Sequence, residues 1–248
     1  MSSKTFKGDI SDLEILKECT IDSTSLLENG MSKILSDISS QKWEKYFEIL
    51  SGPIFPTLVK ELWANAPVMQ PESNDCVILS VVSGFPIMIN SHVIAQAIEC
   101  EEDGNTVEGF RGKPIFASHI HIIYGYEGPT NSPSTLIPRA KVWYQIMGTN
   151  LRPREKGNAS MSVSDRLFIL FLISKIRINL PESILNYLKE EIVSSREELS
   201  FNIPFSRVIS HILHLQGVIS HVEKAGLTQK LVPDWCLPMN LSETTNRP

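Results

Sequence analysis

His211, His214 and His221 are the residues whose types most directly suggest chemistry, because the first two stand three apart on one helical face and could turn two imidazoles the same way. A zinc site needs converging ligands and a fourth position, yet Gly217 is expected to break the helix before His221, no HExxH pattern is present, and Cys236 is remote. These histidines are therefore read as the margin of an apolar helix face. His119 and His121 would share one face of a strand over 115–124, but no carboxylate or cysteine stands at chelating spacing beside them. Ser83-Gly84 and Ser118-His119 lack the G-x-S-x-G elbow of a hydrolase, and no glycine-rich phosphate loop of the G-x-x-x-x-G-K-[ST] type occurs. Asp165 and Asp234 could join a metal-binding acidic triad of the kind many transposases use, but neither ends a convincing buried strand. The reading assigns no catalytic residue, no metal and no cofactor, and expects a protein that is not an enzyme.

What remains is charge. The chain carries a net −5, too acidic for a protein that coats nucleic acid. Residues 139–177 depart from that mean: Arg139, Lys141, Arg152, Arg154, Lys156, Arg166, Lys175 and Arg177 face only Glu155 and Asp165, a net +6 that leaves −11 for the rest. Arg152, Arg154 and Lys156, in what reads as a polar linker over 150–160, are the candidate phosphate contacts. The competing interpretation is that long cationic side chains simply solvate the flanks of apolar helices. The aromatic run Trp43, Tyr46, Phe47 and the later Trp63 sit among Glu44, Glu48 and Glu61, so they are assigned to the core rather than to base stacking.

The elements that would position these residues are mostly helical. Apolar periodicity predicts helices over about 11–18 and 24–37, the latter interrupted by Gly30, and over 41–50, where Trp43, Phe47 and Leu50 share a face. Pro56 is placed to open a helix carrying the stripe Leu58, Val59, Leu62, Trp63 and Ala66. Cys76–Val82 and Phe85–Ile89 flank the two-residue connection Ser83-Gly84 and read as a hairpin, with Pro86 needing an edge position or a site outside the ladder. Asn90 or Ser91 caps the helix that follows. From the acidic exit Glu99–Gly104 to Arg139, glycine and proline predict a long loop with one apolar element over 115–126. A short helix over 141–147 precedes two long ones: Ser164 is expected to cap the first, with Asp165 at its positive end, while Asn179 caps the second and Pro181 lies in its first turn. Ser194–Glu198 has the pattern of another helix start, and Phe205 to Leu215 mark a helix that Gly217 can end.

Ser51-Gly52-Pro53 through Trp63, Gly84 to Ile98, Asn150-Leu151-Arg152-Pro153, Asn179-Leu180-Pro181 and Ile203-Pro204-Phe205-Ser206-Arg207 resemble the putative plant transposon protein domain, also found in envelope-like reading frames of plant retrotransposons. The resemblance spans about Gln41 to Gly217 and implies a retroelement-encoded accessory protein, with the chain as a fragment of something longer. It brings no active-site residue with it.

Taken together, the expected fold is mainly α, a multi-helix globular domain with a small β-hairpin insert and a long Gly/Pro-rich loop. The expected organisation is an N-terminal helical extension over 1–38, a helical plant-transposon-type domain over 39–225 and a disordered tail over 226–248. The four cysteines are widely separated, no secretory signal opens the chain, and the longest apolar run falls short of a membrane span. An intracellular protein, cytoplasmic or nuclear and not secreted, is expected. Its partner is expected to be another protein, with nucleic acid as the alternative.

Overall fold

A computed structural model describes residues 6–67, 77–110, 118–125, 129–154, 160–197 and 201–224. The expected helix over 11–18 does not form. Ile10, Leu13, Ile15 and Leu16 are not helically periodic, so Asp9 caps only a 3₁₀ turn at Ile10–Asp12 and the chain continues extended as β1 (Glu14–Ile15). That strand pairs in parallel with β4 (Asn202–Ile203), joining the two ends of the described chain. The N-terminal segment shares the core of the rest, through fully buried Leu13, Leu26 and Ile34.

The periodic run over 24–37 is two helices, α1 (Ser23–Glu28) and α2 (Ser32–Gln41), because Gly30 takes φ +70. Met31 N–H reaches Leu26 O and Gly30 N–H reaches Leu27 O, the paired bonds that terminate a helix on a left-handed residue. α3 (Glu44–Ile49) and α4 (Pro56–Asn65) follow, and α4 buries the expected stripe. The hairpin is β2 (Ile78–Val82) against β3 (Phe85–Ile89), with Val82 opposite Phe85 across Ser83 and Gly84. Both turn residues have positive φ, as a type I′ connection requires. Counting from that turn, Val81–Pro86 is a non-hydrogen-bonded pair, so proline removes no ladder donor.

Asn90 caps α5 (Ser91–Ile98) by accepting from Val93 N–H. Gly104 then takes φ +118 where Asn105 N–H meets Arg177 O and Asn179 N–H meets Asn105 O. Between there and 137, the expected loop carries 3₁₀ turns at Glu108–Phe110, Ile120–Ile123 and Pro133–Thr135. The strand proposed for His119 and His121 is therefore replaced by a tight turn over its described part, because Ile123 and Tyr124 go inward together rather than alternating. Residues 115–117 and 126 of the expected element over 115–126 lie outside the described residues.

α6 (Pro138–Ile146) runs into a π-helical turn at Met147–Leu151 that buries Asn150 and Leu151, so the expected polar linker begins inside the core. α7 (Val163–Ile173) is capped by Ser162, not Ser164. Ser162 Oγ accepts from Asp165 N–H at 3.1 Å and Asp165 Oδ2 accepts from Ser162 N–H at 2.9 Å, a reciprocal box that needs the cap three residues before the acid. Leu167 to Leu172 are all buried. α7 packs on α2, α6 and the 3₁₀ turn at Ile120–Ile123, with Phe168 against Trp43 and Phe171 against Phe110. α8 (Leu180–Arg196) starts as expected at Asn179, whose side chain accepts from Glu182 N–H. It runs on through Ser194 to Arg196, so the start expected there is absent: Ser195 Oγ donates back to Ile192 O instead of capping. α9 (Ser206–Leu215) ends at Gly217, and α10 (Val218–Lys224), unanticipated, turns back along it. The tail over 226–248 lies outside the described residues.

A Cβ added at Gly104 would meet Ile178 and Arg177 backbone carbons at 2.8 and 2.9 Å, in a φ region that only glycine occupies freely. Gly104→Ala is expected to cost about 3 kcal/mol, and urea denaturation should show the midpoint falling accordingly.

Candidate functional site

The basic segment can be located residue by residue. Arg139 and Trp143, four apart on α6, both donate to Asp37, which is fully buried on α2: Arg139 Nε and Trp143 Nε1 reach Oδ2 at 2.8 and 2.9 Å. Arg154 Nη1 donates to Asp165 Oδ2 at 2.8 Å. Arg152 Nε lies 3.9 Å from Asp165 Oδ1 and its Nη2 3.8 Å from Glu190. Each of these guanidinium groups also stacks on a ring, Arg152 on Tyr187 and Arg154 on Tyr144. Arg177 bridges Glu101 and Asp103 at 3.0 Å each. Acids from the −11 remainder, together with the segment's own Asp165, thus meet Arg139, Arg152, Arg154 and Arg177. Of the three candidate phosphate contacts, Arg152 and Arg154 meet at Asp165, and Lys156 lies outside the described residues.

The histidines fall in two settings. Ser118 Oγ and His119 Nδ1 are 3.0 Å apart, and both residues are exposed, as is His121. His211 and His214 do share a face of α9, and that face, with Arg207 and Ser210, lines a cleft of about 280 Å³. Its opposite wall is Ile49, Gly52, Pro53 and Phe55, and Ile219 and Glu223 of α10 close one side. Phe55 N–H donates to Ser210 Oγ at 3.2 Å, which holds the loop before α4 against α9. His221 turns away to stack edge-on against Phe85. Among the described residues, no group of three or more His, Cys, Asp or Glu could hold a metal ion.

Arg207 forms the cleft's floor. It is 3 % exposed, donating from Nε to Gly52 O at 3.3 Å and from Nη1 to Glu18 O, with Glu18 Oε2 3.5 Å from Nη1. Glu18 also accepts from Ser206 Oγ and Arg207 N–H, at 2.8 and 3.1 Å. Burial pushes the Glu18 carboxyl upward despite the arginine beside it. Sequence reasoning missed Glu18, Arg207, Ser210 and Glu223 as partners. The available signal was an arginine inside the apolar run of α9, which must find an acceptor somewhere. Cys19 and Cys100 are buried, and burial pushes the Cys100 thiol up to about 12, which keeps it protonated at neutral pH.

A third feature lies on the hairpin. Leu79, Val81 and Met88 are 44, 47 and 48 % exposed on the face opposite the core, and Pro86 joins them. Leu79 stands across from Met88 and Val81 across from Pro86. On each outer strand edge one carbonyl is taken, since Asn65 Nδ2 donates to Val81 O and Gln216 Nε2 to Met88 O.

Residues 39–219 match the model of the Putative plant retrotransposon-related domain. The chain belongs to that family. No curated protein and no solved structure matches it. The match establishes a plant retrotransposon lineage and carries no envelope-like character with it. Several segments that carried the sequence resemblance meet in space. Gly52 and Pro53 face Arg207 and Ser210 in the cleft, and Pro153 O accepts from Tyr187 Oη beside Arg152. No helix among the described residues is long and apolar enough to cross a membrane.

Removing the Asp165 carboxylate leaves two half-buried arginines facing each other. Asp165→Ala is expected to cost about 3 kcal/mol, seen as a lower midpoint in urea. His211 is held below the ordinary histidine range, first by burial and then by His214 and Lys45, against the opposing pull of Glu99. Its folded state therefore binds protons less readily than its unfolded state, and the stability this gives above the ordinary value is lost as pH falls through the depressed one. Urea titrations at pH 7 and pH 5 should show a smaller loss on acidification for His211→Gln than for the native chain.

Proposed function

We propose that this domain is a non-enzymatic, retrotransposon-derived interaction module that binds a partner protein through the outer face of its hairpin. The observation that carries the reading is the set Leu79, Val81, Pro86 and Met88, apolar and exposed as two facing cross-strand pairs on a face where polar residues would be expected. Asn65 and Gln216 already take one carbonyl on each outer strand edge, which an added strand would have to displace, so the partner is read as covering the face. Five paired residues give a strip about 17 Å long, the span of roughly three turns of an amphipathic helix.

The alternative, a nucleic-acid-associated accessory factor, draws its support from the +6 of residues 139–177. Since Arg152 and Arg154 are engaged with Asp165, Lys156 is the one of the three candidate contacts whose change tests this alternative without removing Arg152 or Arg154 from Asp165. Salt-sensitive retention on DNA or RNA, weakened in Lys156→Ala, would favour it.

The decisive comparison is capture of proteins from plant extract by the native chain and by a Leu79→Glu, Met88→Lys double variant of unchanged circular dichroism. A specific partner lost by the variant is the expected result. Equal capture by both chains would remove the hairpin face from consideration.

A further inference from the structure

The α9 cleft combines features that neither the family match nor the hairpin reading uses. Its floor is Arg207, anchored by Gly52 O and Glu18 through Nε and Nη1, which leaves Nη2 with no hydrogen bond among the described residues. Ser210, His211 and His214 continue upward from it along one helix face, at steps of three, one and three residues. Facing them are Ile49, Pro53 and Phe55, an apolar wall without a charge, with Ile219 of α10 at its side. Glu223 stands at one side and repels a second negative group placed there.

We propose that this cleft binds a carboxylate carried on a short apolar stem, the carboxylate meeting Arg207 with His211 and His214, and the stem lying against Ile49, Phe55 and Ile219. A volume of about 280 Å³ suits a ligand of a few carbons beyond the acid group. A planar guanidinium presents parallel donors to a carboxylate, and the enclosure provided by Pro53 and Phe55 strengthens that contact relative to bulk water. The free acid of a small metabolite and the carboxyl terminus of a peptide offer the same chemistry. The site is separate from the hairpin face, so either can fail without the other.

The test is a titration of the full chain with hexanoate, N-acetylleucine, hexanamide and inorganic phosphate, read by the NMR signals of the imidazole rings. Hexanoate or N-acetylleucine should shift His211 and His214 saturably while His92, His119 and His121 stay still. Preference between these two separates a free acid from a peptide terminus. His214→Leu, a change at an exposed residue, should weaken binding, and Glu223→Gln should tighten it, each on the order of threefold. An equal response to hexanamide, saturation by phosphate alone, shifts shared by all histidines, or no shift at all would each overturn the proposal.

Discussion

A helix with no polar side dictates most of this molecule. From Leu167 to Leu172 every residue of α7 is buried, so the helix has to be enclosed all round rather than on one stripe. α2, α6 and the 3₁₀ turn at Ile120–Ile123 pack directly on it, and Trp43 and Phe110 reach it through ring contacts. Segments as distant as Leu13 and Val222 therefore belong to one continuous core. The ends of such a helix still carry unpaired backbone groups, and these are satisfied inside the protein. Ser162 and Asp165 close the first turn. At the last turn, Ile176 N–H reaches Phe171 O and Lys175 N–H reaches Leu172 O, with Lys175 at φ +57.

Enclosure of that kind draws charges inward, and the arginines follow from it. Asp165 is buried because it caps α7, and Arg154 and Arg152 come to it because an uncompensated buried carboxylate is far costlier than a paired one. The same logic places Arg139 on Asp37 and Arg207 on Glu18. Arg196 solves the problem differently: with no ion pair to an acid among the described residues, it donates to the carbonyls of Trp63, Ala64 and Ala66 at the end of α4, and burial holds it down to about 10. The contacts of Arg139, Arg207 and Arg196 join elements far apart in the chain, so they act as registration points between helices whose apolar faces alone would tolerate sliding.

The two surfaces with binding character arise where that packing leaves something over. The hairpin is too small to bury both faces, and its inner residues Ile78, Val82, Ile87 and Ile89 take the core side, which leaves Leu79, Val81, Pro86 and Met88 outward. The cleft exists because α9 is flanked on one side by the loop of Gly52 and Pro53 and on another by α10, which Gly217 turns back along it at φ +79. The hairpin face is thus apolar, while the cleft is concave and holds basic groups.

The amino-acid sequence alone determined the local elements with strong chemical punctuation: the α4 stripe after Pro56, the Ser83-Gly84 hairpin turn, the Asn179 cap, a helix start at Asn90 or Ser91, and the mainly helical class. These depend on neighbours a few residues away, which sequence displays. It misplaced the start of α7 by two residues and proposed a break at Ser194, because serines at 162, 164, 194 and 195 look alike until a backbone N–H is in reach. It could not see that Lys42, Glu99 and Lys175 take left-handed backbone, since none is a glycine and each is held there by carbonyls behind it. Tertiary structure alone decided where the charges went. A net +6 in 139–177 is a sum along the chain, but an electrostatic surface is a sum through space. Asp37, Glu101, Asp103 and Glu190 reach those arginines only after the helices have closed around α7.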